Sequence, residues 1–523
     1  MRSRFRYRWS LISLAIISIA SCGPGQSSAK TGPQTLVVDN SFVYDDLDPV
    51  QGALETSIIV DKSVYDTLTT VNPHDLSKPY PSLATSWTVS SDAKTTTFRL
   101  RQGVKFASGN PFTSTDVVWS LTRLNVVGQQ SGLNLPMVGL KVDAPDPYTV
   151  VFTSDTPNPA VPFAMTISNA GILDSVLVQL HGGTDDAKDK ADTFLNTSSA
   201  GSGPYMVQSV DRTSQIILKA NPNYWGTKPV YSTVILRNAP PPTQAFDVQD
   251  GQAQLALDIS PAAAASLRSS VHVIAAPSSD QIYLALNANS SILKLGQDQN
   301  FRDALKYGLD YKGLVALAGK GAAQATGFIP DGFLGSLPLS DAPQRDVVRA
   351  RAALAKVGVA NPIVQLNYAS DRVIDGLSLT PFAIKIQSDL KEIGITVNVV
   401  GQPKAVEVQT VQAGKEQIQL GTNTADYPDA ADFTGAYTVG GTDTGYMGWV
   451  PGMDPTIDGL TTAANSATQP TDRGPAYEDL EKAMNAKSYW EFLLQPGRVL
   501  VAANSVQNAA VNPFTWVDFG SLT

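Results

Sequence analysis

Apolar residues recur along this chain in two spacings. TTTFRLR (95–101) alternates polar and apolar positions, the period of a half-buried strand. TLVVDN (35–40), IILKAN (216–221) and STVILRN (232–238) are short β-branched runs and read as strands too. TSTDVVWSLTRL (113–124) changes period: Thr and Ser offer N-caps, and Val117, Leu121 and Leu124 fall on one helical face. The spacing predicts further helices over 299–317 and 380–393, with ITVNVV (395–400) a strand leaving the second through Gly394. Strands and helices alternate between Gly and Pro breaks, which is an α/β pattern with mixed sheets. No repeat of about 20–50 residues is visible, against a solenoid or propeller. APPPT (239–243) reads as a stiff extended connector.

The N-terminus has its own pattern. MRSRFRYR carries four arginines and no acid, and WSLISLAIISIA follows as twelve nearly apolar residues. That is the charged and apolar sequence of a secretory leader. It is too short to span a bilayer, which takes roughly 20 residues. Ile19-Ala20-Ser21-Cys22 closes it and resembles the bacterial lipobox, so residues 1–21 are expected to be removed and Cys22 to receive lipid. Gly23 to Pro33 then form a flexible tether. Cys22 is the one cysteine of 523 residues. Its use as an anchor leaves no thiol for a metal site, a disulfide or a nucleophile.

Charge narrows the partners. Loss of the four leader arginines takes the formal charge from −9 to −13, which disfavours nucleic acid and anionic lipid surfaces. G-x-S-x-G, H-E-x-x-H and P-loop motifs are absent from the sequence, so an enzyme is not expected. His74, His181 and His272 are scattered, which argues against a nickel or metal-chelate ligand. No cofactor is expected.

One long block is specific. PSLATSWTVSSDAKTTTFRLRQGVKFASGNPFTSTDVVWSL (81–121) resembles the run "LA-x-SW … FxLRxGVKFxxGxPFTAxDVxxS" of the extracytoplasmic solute-binding proteins of bacterial ABC importers, family 5, the oligopeptide, dipeptide and nickel group. SIIVDKSVYDTL (57–68), GSGPYMV with ANPNYWG (201–226), FRDALKYGLDYKGL (301–314), IQSDLKEIGITVNV (386–399) and ADYPDAADF (425–433) resemble the family's later segments in order. Physically most of this is scaffold. Trp87, Phe106 and the Tyr224-Trp225-Gly226 segment read as packing rather than ligand contacts.

The resemblance implies a periplasmic-binding-protein-like type II α/β fold: two lobes with mixed sheets and a cleft at the hinge. It implies lobe one over 34–278, with an inserted subdomain at about 56–185, lobe two over 279–496, and a return of the chain to lobe one over 497–523. It implies a monomeric receptor outside the cytoplasm that hands peptides or similar small solutes to an ABC permease and its ATPase subunits. An oligosaccharide or glycoside is the second reading. Relatives that bind peptides place an acid in a "W-x-A-D-Y" segment against the ligand ammonium. Ala425, Asp426 and Tyr427 match it, and Asn423 stands where the tryptophan would be. Asp426 equally suits the cap of a turn before Pro428, and Asp429 is read as the turn residue. Arg372 is the candidate clamp for a ligand carboxylate. Tyr446 and Trp449 are candidate aromatic walls, and Gln495 and Tyr44 are further cleft candidates.

Overall fold

The computed structural model describes residues 34–128, 139–438 and 441–523. The leader, the tether and Cys22 lie outside the described residues.

Among the described residues, three large sheets organise the molecule. The first has seven strands in the order Val271–Pro277, Gly497–Ala503, Leu255–Ala256, Gln34–Asn40, Tyr231–Asn238, Gln215–Ala220, Tyr205–Asp211. Gln34–Asn40 runs parallel to two neighbours, and the other pairings are antiparallel. The second has six strands in the order Ala323–Gln324, Trp490–Gln495, Gln281–Leu286, Ile418–Asn423, Ile363–Ala369, Thr396–Gln402, again mixed in direction. The third is a four-stranded antiparallel sheet, Ala84–Val89, Thr95–Leu100, Thr149–Thr153, Lys141–Asp146. Each sheet carries its own core. Leu36, Leu218 and Leu236 anchor the first, Leu284, Leu366 and Ile386 the second, and Phe98, Val117 and Phe152 the third.

The local rules hold where a side chain enforces them. The helix Ser114–Arg123 starts in a capping box: Thr113 and Asp116 each satisfy the other's backbone amide. Val117 and Leu121 face the third core, where Phe106 is fully buried and Trp87 packs from the side. The helix Thr380–Ile393 ends at Gly394, whose φ of +100° suits glycine alone. Two expectations change. The run 299–317 is two helices, Gln299–Gly308 and Tyr311–Ala318. Asp310 breaks it by capping the second helix, its carboxylate accepting from Gly313 N at 3.0 Å. The proline run is not a connector. Pro240 is the N-cap and Pro241 and Pro242 open the helix Pro241–Asp250, because proline's missing N–H costs nothing in a first helical turn.

Two fully buried arginines are paired. The Arg123 guanidinium bonds the carboxylates of Asp48 and Asp189, and Arg473 grips Asp429 from two nitrogens. Asp429 also caps the helix Ala430–Tyr437, which fits its turn role. Breaking such a pair leaves an uncompensated buried charge and costs about 3–5 kcal/mol.

Candidate functional site

The chain passes between the first and second sheets twice. It leaves Val271–Pro277 and enters Gln281–Leu286 through Ser278, Ser279 and Asp280. It returns from Trp490–Gln495 through Pro496 into Gly497–Ala503. The two crossings are tied side by side. Ser278 N donates to Pro496 O at 2.9 Å, and Gln495 Nε2 donates to Ser278 O at 2.8 Å. Beside them lie two cavities that share Thr424, Arg498 and Trp516. One measures about 220 Å³ and the other about 490 Å³, the scale of a site for a small ligand.

Asp426 lines the smaller cavity, across from Ile58, Asn169 and Phe514. Burial pushes its carboxyl up to about 6. Its backbone N–H donates to Asp432 Oδ2 at 2.8 Å, so a second acid stands beside it. Among the described residues no lysine or arginine pairs with Asp426. The site therefore holds a partly desolvated anion without its counter-ion.

Arg372 lines the larger cavity, in the turn between Ile363–Ala369 and the short hairpin Val373–Ser378. Its Nε is buried without an acceptor, and among the described residues its guanidinium has no carboxylate partner. Thr424 borders both cavities; Asn423 ends its strand one residue earlier, paired in register with Gln281.

The other candidates are placed elsewhere. Tyr427 does not line Asp426's cavity; it packs its ring against Ala160 and Phe163, in a bend that Asp429 N closes by donating to Tyr427 O at 2.8 Å. Trp449 is 1% exposed and stacks on Tyr489 at 5.0 Å, so it is core rather than wall. Tyr446 and Trp449 sit at the far end of the second sheet. Met447 O there accepts from Ala288 N, beyond the end of Gln281–Leu286 opposite the crossings. Gln495 lies at the crossing but has no amide to spare: Oε1 accepts from Asp331 N at 2.9 Å while Nε2 holds Ser278. Tyr44 meets Phe42 edge-on at 6.0 Å and lies under Arg212. Its neighbour Val43 lines the cavity instead.

Several cleft groups escape a reading of the sequence. Arg498, 6% exposed, pairs with Asp280 at 3.3 Å and Asp375 at 3.0 Å, donates to Pro513 O at 2.7 Å and lies 4.1 Å from the Trp516 ring. Trp516 has φ +61°, rare for a bulky residue. It is held there by a closed loop in which Asn512 and Trp516 exchange both backbone hydrogen bonds. Burial and the adjacent Asp375 push Asp280 up to about 7. Against the pull of burial, the Arg498 charge holds Asp375 below the usual carboxylate range. Burial and Asp258 push Glu55 well above its ordinary value. The one sequence signal is the NPFTW segment, whose two aromatics follow the last strand. Among the described residues no group of three or more His, Cys, Asp or Glu side chains is arranged to hold a metal ion. None of the described helices is long and apolar enough to cross a membrane.

Comparison with known proteins adds the relatives. The family model "Bacterial extracellular solute-binding proteins, family 5 Middle" matches residues 78–445. The chain is 29% identical over 443 residues to the probable D,D-dipeptide-binding periplasmic protein DdpA of Escherichia coli K12, covering 82% of each chain. It is 26% identical over 553 residues to di/tripeptide-binding protein 2 of Pseudomonas aeruginosa UCBPP-PA14, covering 100% of this chain and 99% of that one. The solved structure of HbpA2 from Haemophilus parasuis superposes with a TM-score of 0.81 at 22% identity, over 94% of this chain and 99% of its own.

Proposed function

The chain belongs to family 5 of the bacterial extracellular solute-binding proteins, and from that premise we propose that it is a receptor capturing short peptides between two lobes. The lobes are residues 34–278 with 497–523, and 279–496, with an inserted subdomain at about 56–185. Asp426 takes the peptide's α-ammonium and Arg372 its carboxylate. A ligand touching both lobes favours their closed arrangement, and the closed receptor delivers it to a membrane permease driven by ATPase subunits. The protein captures its ligand unchanged, as a monomer, held at the outer face of a membrane by lipid on Cys22.

One observation carries this reading: Asp426 faces a cavity and no cation of the described chain pairs with it, the nearby Arg498 being held by Asp280 and Asp375. An ammonium arriving with a ligand supplies what the site lacks. The names of relatives that bind dipeptides and tripeptides agree with it.

A thermal-shift panel of dipeptides to pentapeptides against oligosaccharides tests the ligand class. A ligand at 100 times its dissociation constant adds about 2.7 kcal/mol to stability, so peptides are expected to raise the melting temperature. A rise with oligosaccharides alone would refute the peptide assignment. Mass spectrometry of membrane-extracted protein tests the anchor: diacylglyceryl on an N-terminal Cys22 is expected, and an unmodified Cys22 in an intact leader would refute it.

A further inference from the structure

The larger cavity holds more acid than base. Glu55, Asp258, Asp280 and Asp375 line it, against Arg372 and Arg498. Arg498 is already spent on Asp280 and Asp375. On the opposite wall Glu55 and Asp258 face each other with no cation between them. One amide serves both: Asn40 Nδ2 donates to Glu55 Oε1 at 3.1 Å and to Asp258 Oδ2 at 3.0 Å. Ser41 N at 2.5 Å and Gln244 Nε2 at 3.0 Å also donate to Asp258 Oδ2, which fixes that carboxylate in place.

A second observation points to a missing partner. Asp280 is 4% exposed and the Asp375 side chain 5%, yet no amide or cation reaches Asp280 Oδ1 or Asp375 Oδ2, and the two carboxyls are left to hydrogen-bond each other. Two buried acids pressed together hold a proton between them, and a cation arriving there takes the proton's place. The four carboxyls come from four places: the start of the helix Glu55–Val64, the segment after Leu255–Ala256, the crossing, and the hairpin Val373–Ser378. Crowding like charges in this way disfavours their ionised forms, and Glu55 and Asp280 are accordingly raised. A mobile metal ion does not fit, since these carboxyls are not gathered into a coordinating group. A long cation reaching in from a ligand fits: its stem covers the apolar rim at Val43 and Leu54, and its head meets the acids.

We propose that the larger cavity takes the basic side chain of the bound peptide, a lysine ammonium or arginine guanidinium, and makes the receptor selective for peptides carrying such a residue. This rests on the peptide reading above. Arg372, on the same cavity, remains free to meet the peptide carboxylate.

The test is calorimetric titration of the full chain with tri-alanine analogues in which lysine, norleucine or glutamate occupies each position in turn. At one position the lysine peptide is expected to bind about tenfold or more tightly than its norleucine counterpart, which has the same stem and no charge. The glutamate peptide is expected to bind most weakly. Two variants locate the effect. Glu55→Gln removes one acid. Leu54→Lys puts a cation on the cavity rim at a residue 42% exposed, where the fold has little to lose. Both are expected to shrink the lysine-to-norleucine ratio. Equal binding of lysine and norleucine peptides at every position would overturn the inference and leave the peptide reading standing. No binding by any of the peptides would overturn both. A lysine preference unchanged in both variants would remove it from this cavity.

Discussion

Asp426 is poised by its surroundings rather than by any hydrogen bond to its carboxylate. Burial holds it at about 6, and only its ionised form attracts an ammonium. Peptide affinity should therefore be full at pH 7.5 and weaken below pH 6, by about tenfold per unit. Calorimetry at pH 7.5, 6 and 5 checks this, and affinity that is flat or rises on acidification would contradict it. Asp426 and Arg372 are both named from the sequence and both line the cavities beside the crossings; Asp426 stands out there because its segment resembles a family motif. Trp449 and Gln495 mislead for a related reason: a motif marks a place in the fold, not the direction of a side chain. Trp449 stacks on Tyr489, and Gln495 spends its amide on Asp331 and Ser278. Arg498, Glu55 and Trp516 are not legible. Their roles come from strands and loops far apart in the chain, and no local pattern marks them.

The element that decides the cleft is the returning crossing. Gly497 starts the strand Gly497–Ala503 where a Cβ would press into Lys320 O and sit 2.6 Å from Ala322 N. Backbone on that side cannot swing away as a long side chain would. Gly497→Ala should cost on the order of 1–3 kcal/mol and weaken peptide binding, because Arg498 follows directly. Urea unfolding reads the first and calorimetry the second; a loss below about 0.5 kcal/mol, the range of an ordinary surface change, would contradict it. Period and caps locate most of the elements read from the sequence, the helix 380–393 among them. The run 299–317 fails because its apolar positions continue across Leu309 while Asp310 quietly restarts the helix. The proline run fails because three prolines suit an extended connector and a helix start equally. Here Ala239 N donates to Asn40 O of the first sheet at 3.0 Å, and Pro240 caps the helix that follows.

Across the whole molecule, buried acids set the response to pH. Burial pushes Glu481 up to about 8 and Glu416 up to about 8, and Asp280 up to about 7. Each folded value lies above the unfolded one, so the native state binds more protons. Their stabilising contribution is complete below about pH 4 and is lost as pH rises through 7 and 8. The unliganded protein should melt at a higher temperature at pH 5.5 than at pH 8.5, a direction that calorimetric scans check and a rise with pH would contradict. The proposal that the receptor closes on a charged ligand rests on the two crossings, the paired cavities and the unpaired carboxylate together. That claim is met most directly by titrating a tripeptide into the wild type and the Asp426→Asn variant. Removing one partner of a desolvated pair costs about 3–5 kcal/mol, so the variant should bind about 10²- to 10³-fold more weakly or worse. A variant that binds the peptide as tightly as the wild type would contradict the account.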